Sequence, residues 1–379
     1  MPLQRQDIRW DIFCRVIDNY GDIGVSWRLA RQLACEYGAT VRLWVDRPES
    51  LKALCPELNA DVASQTLQGV TVLSWTAQTE FPPPATIVIE AFGCGLPPQY
   101  VAQMAAGAAV WIILEYLSAE PWVRDHHTLP SPHPQLGLPR YFFFPGVAPG
   151  TGGVLCEAGL TARRDAFDVL ARRAFWARHG FEDVPPDATA VSLFAYAHAP
   201  VQAWLTACAR GETPVVVAVP EGALAARVRE AFQVGMSRNH TSGNLELRFL
   251  PFVPQPGFDE LLWACDINFV RGEDSFVRAQ WAARPFVWHI YPQAGQAHTV
   301  KLEAFLDAYC DGLPGVAARA ARDFWRAWND AGGTPVAPAW QNFVEQRQDL
   351  IRGAQQWAHR LASTGDLAGN LVRFCQKMI

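Results

Sequence analysis

Several familiar signatures are missing from this chain of 379 residues. None of its nine cysteines falls in a CxxC pair, and no HExxH or other paired-histidine spacing occurs. There is no GxGxxG, and no DxD motif in the turns that carry its best candidate residues. Basic residues are not in excess: 32 Lys and Arg against 37 Asp and Glu give a formal net charge of −5. Each absence excludes something. An odd number of scattered cysteines in apolar or helical-looking surroundings reads as free, buried thiols in a reducing compartment, not as a disulfide frame or a zinc site. His126, His127 and His133 lie in a polar, proline-rich loop with no ligand pattern. Without GxGxxG the first turn is not that of a dinucleotide-dependent oxidoreductase. A mildly acidic chain lacks the basic stripe expected of a nucleic-acid binder. The opening residues MPLQRQDIRWDIFCRV hold no apolar run long enough for a signal peptide, and no stretch reaches membrane-spanning length. A cytoplasmic protein without nucleic-acid or membrane partners is expected.

What the chain does have is apolar bulk. Half of it is hydrophobic, with 15 Trp and 21 Phe, and its length suits two or three domains. WDIFCRVI, TVRLWV, VTVLSW, TIVIEAF and AVWIILEYL are short runs rich in β-branched residues, as in buried strands of a parallel sheet. Between the first two, VSWRLARQLACEYG has helical spacing and a closing glycine. This is βαβ punctuation and predicts an open α/β sheet. The periodicity dissolves in SPHPQLGLPRYFFFPGVAPGTGG, read as loops. A helical stretch follows, ARRDAFDVLARRAFWARHG, and then the break FEDVPPDAT. Alternation restarts with AVSLFAY, PVVVAVP, LELRFLP, DINFV and PFVWHI. Two α/β domains in tandem are expected, 1–180 and 181–355, followed by helical sequence. Ligands of such sheets sit outside the carboxyl ends of the strands.

Two turns at strand ends carry chemistry. In DNYGDIG the first strand-to-helix turn holds Asp18 and Asp22, where nucleotide-binding proteins commonly present bare N–H groups to phosphate. Two carboxylates repel phosphate and suit a cation, although Asp also serves as an ordinary turn and cap residue. In the second half, VRGEDSF offers the guanidinium fork of Arg271, the hydroxyl of Ser275, and a helix start with Ser275 or Asp274 as its cap, a combination suited to a diphosphate. Read from the residues alone, an ordinary capped helix explains that turn as well. The upstream stretch PFVPQPGF reads as a proline-stiffened loop, with Phe252 and Phe258 for stacking on a base and Gln255 for its edge. Phe194, Tyr196 and Tyr291 close other strands, and Glu115 and Tyr116 follow the fifth strand of the first sheet, where a basic protein surface is a candidate partner.

The stretches DNYGDIGVSWRLARQL, SLFAY, LPFVPQPGFDELLWACDINFVRGEDSFVRAQWA and PFVWHIYPQ resemble the bacterial protein-arginine rhamnosyltransferases that modify elongation factor P. The resemblance runs over essentially the whole chain. It implies a GT-B glycosyltransferase: two Rossmann-like domains facing across a cleft, with dTDP-β-L-rhamnose as donor and one arginine of elongation factor P as acceptor, glycosylated with inversion. It implies that the C-terminal domain holds the nucleotide sugar, that the N-terminal domain receives the protein, and that a last helix, about 356–379, returns to the first domain. An arginine side chain titrates near pH 12.5–13.8, so deprotonating it beforehand at neutral pH costs about 7–9 kcal/mol. A carboxylate that takes the proton as the N–C bond forms avoids that state. Asp22 is the expected base, Asp18 its orienting partner and Glu273 a support for acceptor or sugar. Donor contacts are expected from Tyr20, Gly21, Phe194, Tyr196, Phe252, Gln255, Phe258, Arg271, Asp274, Ser275 and Tyr291, and acceptor contacts from Glu115 and Tyr116. Arg271 and the helix start stand where a metal would otherwise neutralise the leaving group, so no metal or other cofactor is expected. A GT-B enzyme with a small-molecule or lipid acceptor explains the nucleotide side but not the acidic pair. A non-catalytic module gripping a translation factor leaves the intact acids without a role.

Overall fold

The computed structural model describes residues 8–18, 20–107 and 109–379; Asn19 of the acidic turn and the first residues, 1–7, lie outside the described set. The chain divides into two compact units, Met1–Ala158 with Leu361–Ile379, and Gly159–Arg360.

In the first unit the strands are β1 (Arg9–Cys14), β2 (Thr40–Val45), β3 (Ser64–Leu67), β4 (Val70–Ser74), β5 (Ile87–Ala91), β6 (Val110–Leu114), β7 (Pro130–Pro132) and β8 (Pro139–Phe143). Their order is β3-β4-β2-β1-β5-β6-β8-β7, parallel except for the edge pairs β3/β4 and β7/β8. The second unit holds β9 (Thr189–Leu193), β10 (Val215–Pro220), β11 (Asn239–Ser242), β12 (Leu245–Leu250), β13 (Ile267–Arg271) and β14 (Phe286–His289), in the order β11-β12-β10-β9-β13-β14, with only β11/β12 antiparallel. Both sheets begin near their middle, run outward and then reverse, so each has a switch point, between β1 and β5 and between β9 and β13. The central strands are buried along their length because helices cover both faces of a parallel sheet; β5, β6, β9 and β10 have no exposed residue.

A polar node lies inside the first sheet. Asp11 on β1 is fully buried and accepts from Arg42 through two guanidinium nitrogens, from Trp44 Nε1, from the Ala85 N–H and from the Tyr100 hydroxyl. A buried charge persists only with such company. Around it Phe13, Trp44, Trp75, Phe81 and Tyr100 form an aromatic core, with Phe13 stacked on Trp44 at 5.6 Å.

The boundary falls at 158/159, not near 180. The stretch expected as one helix at the end of the first domain is two, Leu160–Asp165 and Val169–Arg178, divided where Asp168 caps the second by accepting from Ala171 N–H. Phe175 and Trp176 bury themselves with Val184, Val216, Leu250 and Leu261, which is the core of the second unit. The FEDVPPDAT break is therefore a loop within that unit. At the other end the first unit resumes at Leu361, inside helix Arg347–Thr364, rather than at 356. Asp366 fixes the last helix, Leu367–Cys375: one oxygen accepts from Gly369 N–H and the other from Cys156 N–H, while Asn370 donates to the Gly152 carbonyl.

Candidate active site

Beyond β1 the chain turns through Ile17 and Asp18 into helix Gly21–Tyr37, with Tyr20 at the N-cap. Gly21 N–H donates to the Asp18 carbonyl at 2.7 Å and Gly24 N–H to that of Tyr20 at 2.9 Å, which closes the turn. Asp22 sits in the first helical turn, 1% exposed. Its Oδ2 accepts from the Ile17 and Asp18 N–H groups at 2.8 and 3.0 Å, and its Oδ1 from the Tyr116 hydroxyl at 2.9 Å. The positive end of the helix adds to these three donors. The turn is therefore built around a carboxylate: the Ile17 and Asp18 amides are spent on Asp22, those of Gly21 and Gly24 on backbone carbonyls, and an incoming anion would meet that carboxylate. Asp18 and Tyr20 are half-buried beside it. Glu115, also half-buried, follows β6 with its N–H on the Phe143 carbonyl, next to Tyr116. Behind the turn, burial pushes the Cys14 thiol well above its ordinary value, and neighbouring Asp22 pushes the same way, so Cys14 is no thiolate nucleophile.

In the second unit β13 ends at Arg271, whose guanidinium lies 4.7 Å from the ring centroid of Phe194 and 4.6 Å from that of Tyr196. Both rings stand on the segment after β9, the neighbour of β13 across the switch point, so sheet topology brings the three together. Arg271 N–H donates to Ser275 Oγ at 3.0 Å, and the Ser275 hydroxyl donates back to the Arg271 carbonyl. Gly272, at φ 59°, makes the sharp turn between them, and its carbonyl accepts from Trp288 Nε1 at 3.0 Å. Helix Asp274–Trp281 has Glu273 at its N-cap; Glu273, Asp274 and Ser275 are all buried. Two contacts fix this helix start. Gln255 Nε2 donates to Asp274 Oδ2 at 3.1 Å, and Arg278 makes a two-pronged buried pair with Asp259 at 2.8 and 2.7 Å.

The stretch expected as a loop from Phe252 to Phe258 is only partly one. Helix Gln255–Ala264 begins inside it, with Pro254 at its N-cap and Pro256 in the first turn, where a proline's missing N–H costs nothing. Gln255 is consequently 2% exposed, and its amide is aimed at Asp274 rather than presented from a loop. Phe258 packs on the core of the unit and against the edge of Phe194, 5.8 Å away. Phe252 stays on the half-buried segment before the helix, and Tyr291, after β14, is exposed, with its ring at an angle to Tyr196 at 5.6 Å. Ser275 does not cap the helix by a side-chain bond; its hydroxyl is turned back to the strand end.

Sequence reasoning missed two histidines here. His289, last residue of β14, is buried, and its Nδ1 accepts from the Tyr196 N–H at 3.1 Å, which puts the ring proton on Nε2. Burial depresses it to about 3, with His198 and Arg271 adding to the effect. His198 stacks on Tyr196 and meets His289 edge-on at 4.6 Å. A neutral imidazole thus braces the Tyr196 side of the Arg271 sandwich. Its one sequence signal was a polar residue closing an otherwise apolar strand. Among the described residues no three His, Cys, Asp or Glu side chains converge as a metal site, and no helix is long and apolar enough to cross a membrane.

Comparison with known proteins shows the family and the fold. The profile of the family described as Elongation-Factor P (EF-P) rhamnosyltransferase EarP matches residues 10–376. A protein-arginine rhamnosyltransferase of Pseudomonas putida is 48% identical over 372 residues, covering 96% of this chain and 98% of that protein. A solved structure described as the structural basis for EarP-mediated arginine glycosylation of translation elongation factor EF-P superposes with a TM-score of 0.68 at 36% identity, covering 98% of this chain and 99% of that one. MurG of Acinetobacter baumannii, at 11% identity and a TM-score of 0.53 over 98% of this chain and 99% of its own, shares the fold alone. With two doubly wound sheets, an acidic turn closing the first strand of one and an arginine set between aromatic rings in the other, the chain belongs to the EarP family of elongation-factor P rhamnosyltransferases, enzymes of the GT-B fold.

Proposed function

We propose that this enzyme transfers L-rhamnose from dTDP-β-L-rhamnose to one arginine of elongation factor P, with inversion at the sugar carbon, in the cytoplasm and without a metal. The observation that carries the reading is the preset carboxylate of Asp22, held by three donors where related sheets present amides to phosphate. A guanidinium is the cation such a turn receives. In the reaction a guanidinium nitrogen attacks C1 of rhamnose as the bond from C1 to the diphosphate oxygen breaks. The proton that nitrogen sheds passes to Asp22, Asp18 orients the fork by charge-assisted hydrogen bonds, and Glu273 supports the sugar or acceptor as positive charge develops. Glu115 and Tyr116 belong to the acceptor side.

The departing dTDP carries its charge on two phosphates. Arg271, Ser275 and the N–H groups that open helix Asp274–Trp281 take up that charge, which is the work a divalent cation does in other glycosyltransferases. Phe194, Tyr196, Phe252, Phe258 and Tyr291 are the aromatic lining for base and sugar, Gln255 and Asp274 its polar part, and Tyr20 and Gly21 the contribution of the acidic turn to the donor. Stacking on such rings contributes roughly 1–3 kcal/mol per base.

Intact mass spectrometry of elongation factor P incubated with the enzyme and dTDP-β-L-rhamnose in excess chelator tests the whole reading. One added deoxyhexose on an arginine is the expected product. An unmodified factor with folded enzyme would overturn the proposal, and transfer that appears only when magnesium is restored would overturn its metal-free part.

A further inference from the structure

Asp22 is not positioned by its own turn alone. Two N–H groups of the turn converge on Oδ2 and hold that oxygen. The donor on the other oxygen, Oδ1, comes from a different loop: it is the hydroxyl of Tyr116 at 2.9 Å, which occupies one lone pair of Oδ1 and so selects the direction left for a second partner. A carboxylate has roughly four lone-pair sites, so among the described residues these three donors leave one directed site on the oxygen that Tyr116 holds.

Tyr116 is itself clamped. Its ring stacks on Phe92 with centroids 4.4 Å apart and planes 16° from parallel. Phe92 follows β5 with a φ of 57°, the left-handed region that is strained for a bulky residue and persists only where its surroundings impose it. The surroundings here are explicit. Phe92 N–H donates to the Leu114 carbonyl, at the end of β6, at 2.6 Å. The buried carboxylate of Glu90 accepts from Gly95 N–H at 2.9 Å and from Trp111 Nε1 at 3.0 Å, and so ties the loop to both strands. A chain of fixed contacts runs from the sheet through Phe92 and Tyr116 to one carboxylate oxygen.

We infer that Tyr116 is a positioning residue for the transfer reaction, its phenol clamped by Phe92 so that Asp22 Oδ1 is aimed at the proton of the acceptor guanidinium. The inference rests on the function proposed above and adds to it: Tyr116 acts through Asp22, and Phe92, which no sequence motif marks, belongs to the machinery.

Tyr116→Phe keeps the stack on Phe92 and removes only the hydroxyl. Its single-turnover rate on elongation factor P should fall about 10-fold, because a misaimed reacting group loses much of its advantage, while donor affinity by calorimetry stays at the wild-type value and the enzyme remains folded. In an Asp22→Asn background the same substitution should slow the reaction no further, since there is no carboxylate left to aim. Phe92→Leu, which leaves the phenol but removes its clamp, should slow turnover in the same background-dependent way. A Tyr116→Phe enzyme with the wild-type rate, or one whose loss is the same in both backgrounds, would overturn the inference. Wild-type enzyme that adds no sugar to the factor would instead indict the functional reading, so the two failures are distinguishable.

Discussion

At Asp22 one side chain shapes its turn and, in the proposed reaction, also takes the acceptor's proton, and that double duty explains why the turn needs Asp and not any short polar residue. Asn in its place offers one oxygen acceptor and two misplaced donors, so either the amides of Ile17 and Asp18 or the Tyr116 hydroxyl loses its partner. Histidines give a second test at this scale. Burial holds His289 at about 3 and His127 at about 4, against an ordinary 6.5. The unfolded chain takes up those protons near pH 6.5 and the folded chain resists, so their contribution is whole above that pH and drains away as acid approaches the folded values. Denaturant unfolding at pH 7.5 and pH 5 should show wild type losing stability between them. His289→Asn, which keeps an acceptor for Tyr196 N–H without a basic nitrogen, should lose less, by up to about 1.4 kcal/mol per pH unit. Equal losses in both proteins would contradict a neutral buried His289. What the sequence made legible was the pair of unusually charged turns at strand ends, the one that the structure builds around Asp22 and the one that ends at Arg271. His289 was hidden because one buried polar residue in an apolar strand looks like any other, and Gln255 was misplaced because the prolines that suggest a loop also begin a helix.

Among the elements, helices Gln255–Ala264 and Asp274–Trp281 are locked by the Asp259–Arg278 pair, whose side chains are 6% and 0% exposed. Removing one partner strands the other charge out of water. Asp259→Ala should cost about 3–5 kcal/mol, read as an earlier midpoint in urea unfolding, whereas replacing both by leucine should recover most of it. A single variant as stable as wild type would show that the pair does not hold the helix start. The main parallel strands were legible because β-branched runs flanked by turn residues leave few other readings. What escaped were β3, β7 and β11, short and half-exposed ribbons without such runs, and β8, lost among prolines and glycines. The domain boundary was misjudged for a related reason. A proline-rich break looks the same inside a unit as between two, and only the burial of Phe175 and Trp176 with Val216 and Leu250 tells which side helix Val169–Arg178 serves.

For the whole molecule, one doubly wound order of six strands appears in both sheets, and strand ends of the two sheets carry opposite charge. The first sheet closes its first strand with a buried carboxylate, and the second closes β13 with a guanidinium pressed on two aromatic rings. In the proposed reaction the carboxylate handles a cationic acceptor and the guanidinium an anionic leaving group. That division is tested most directly with Asp22→Asn, by measuring single-turnover rhamnosylation of elongation factor P and, separately, affinity for dTDP-β-L-rhamnose. The expected result is a rate lower by about 100-fold or more, the scale of general-base catalysis, with donor affinity unchanged. A fully active Asp22→Asn enzyme, or one impaired only in donor binding, would contradict the account and leave the acidic turn as a structural feature alone.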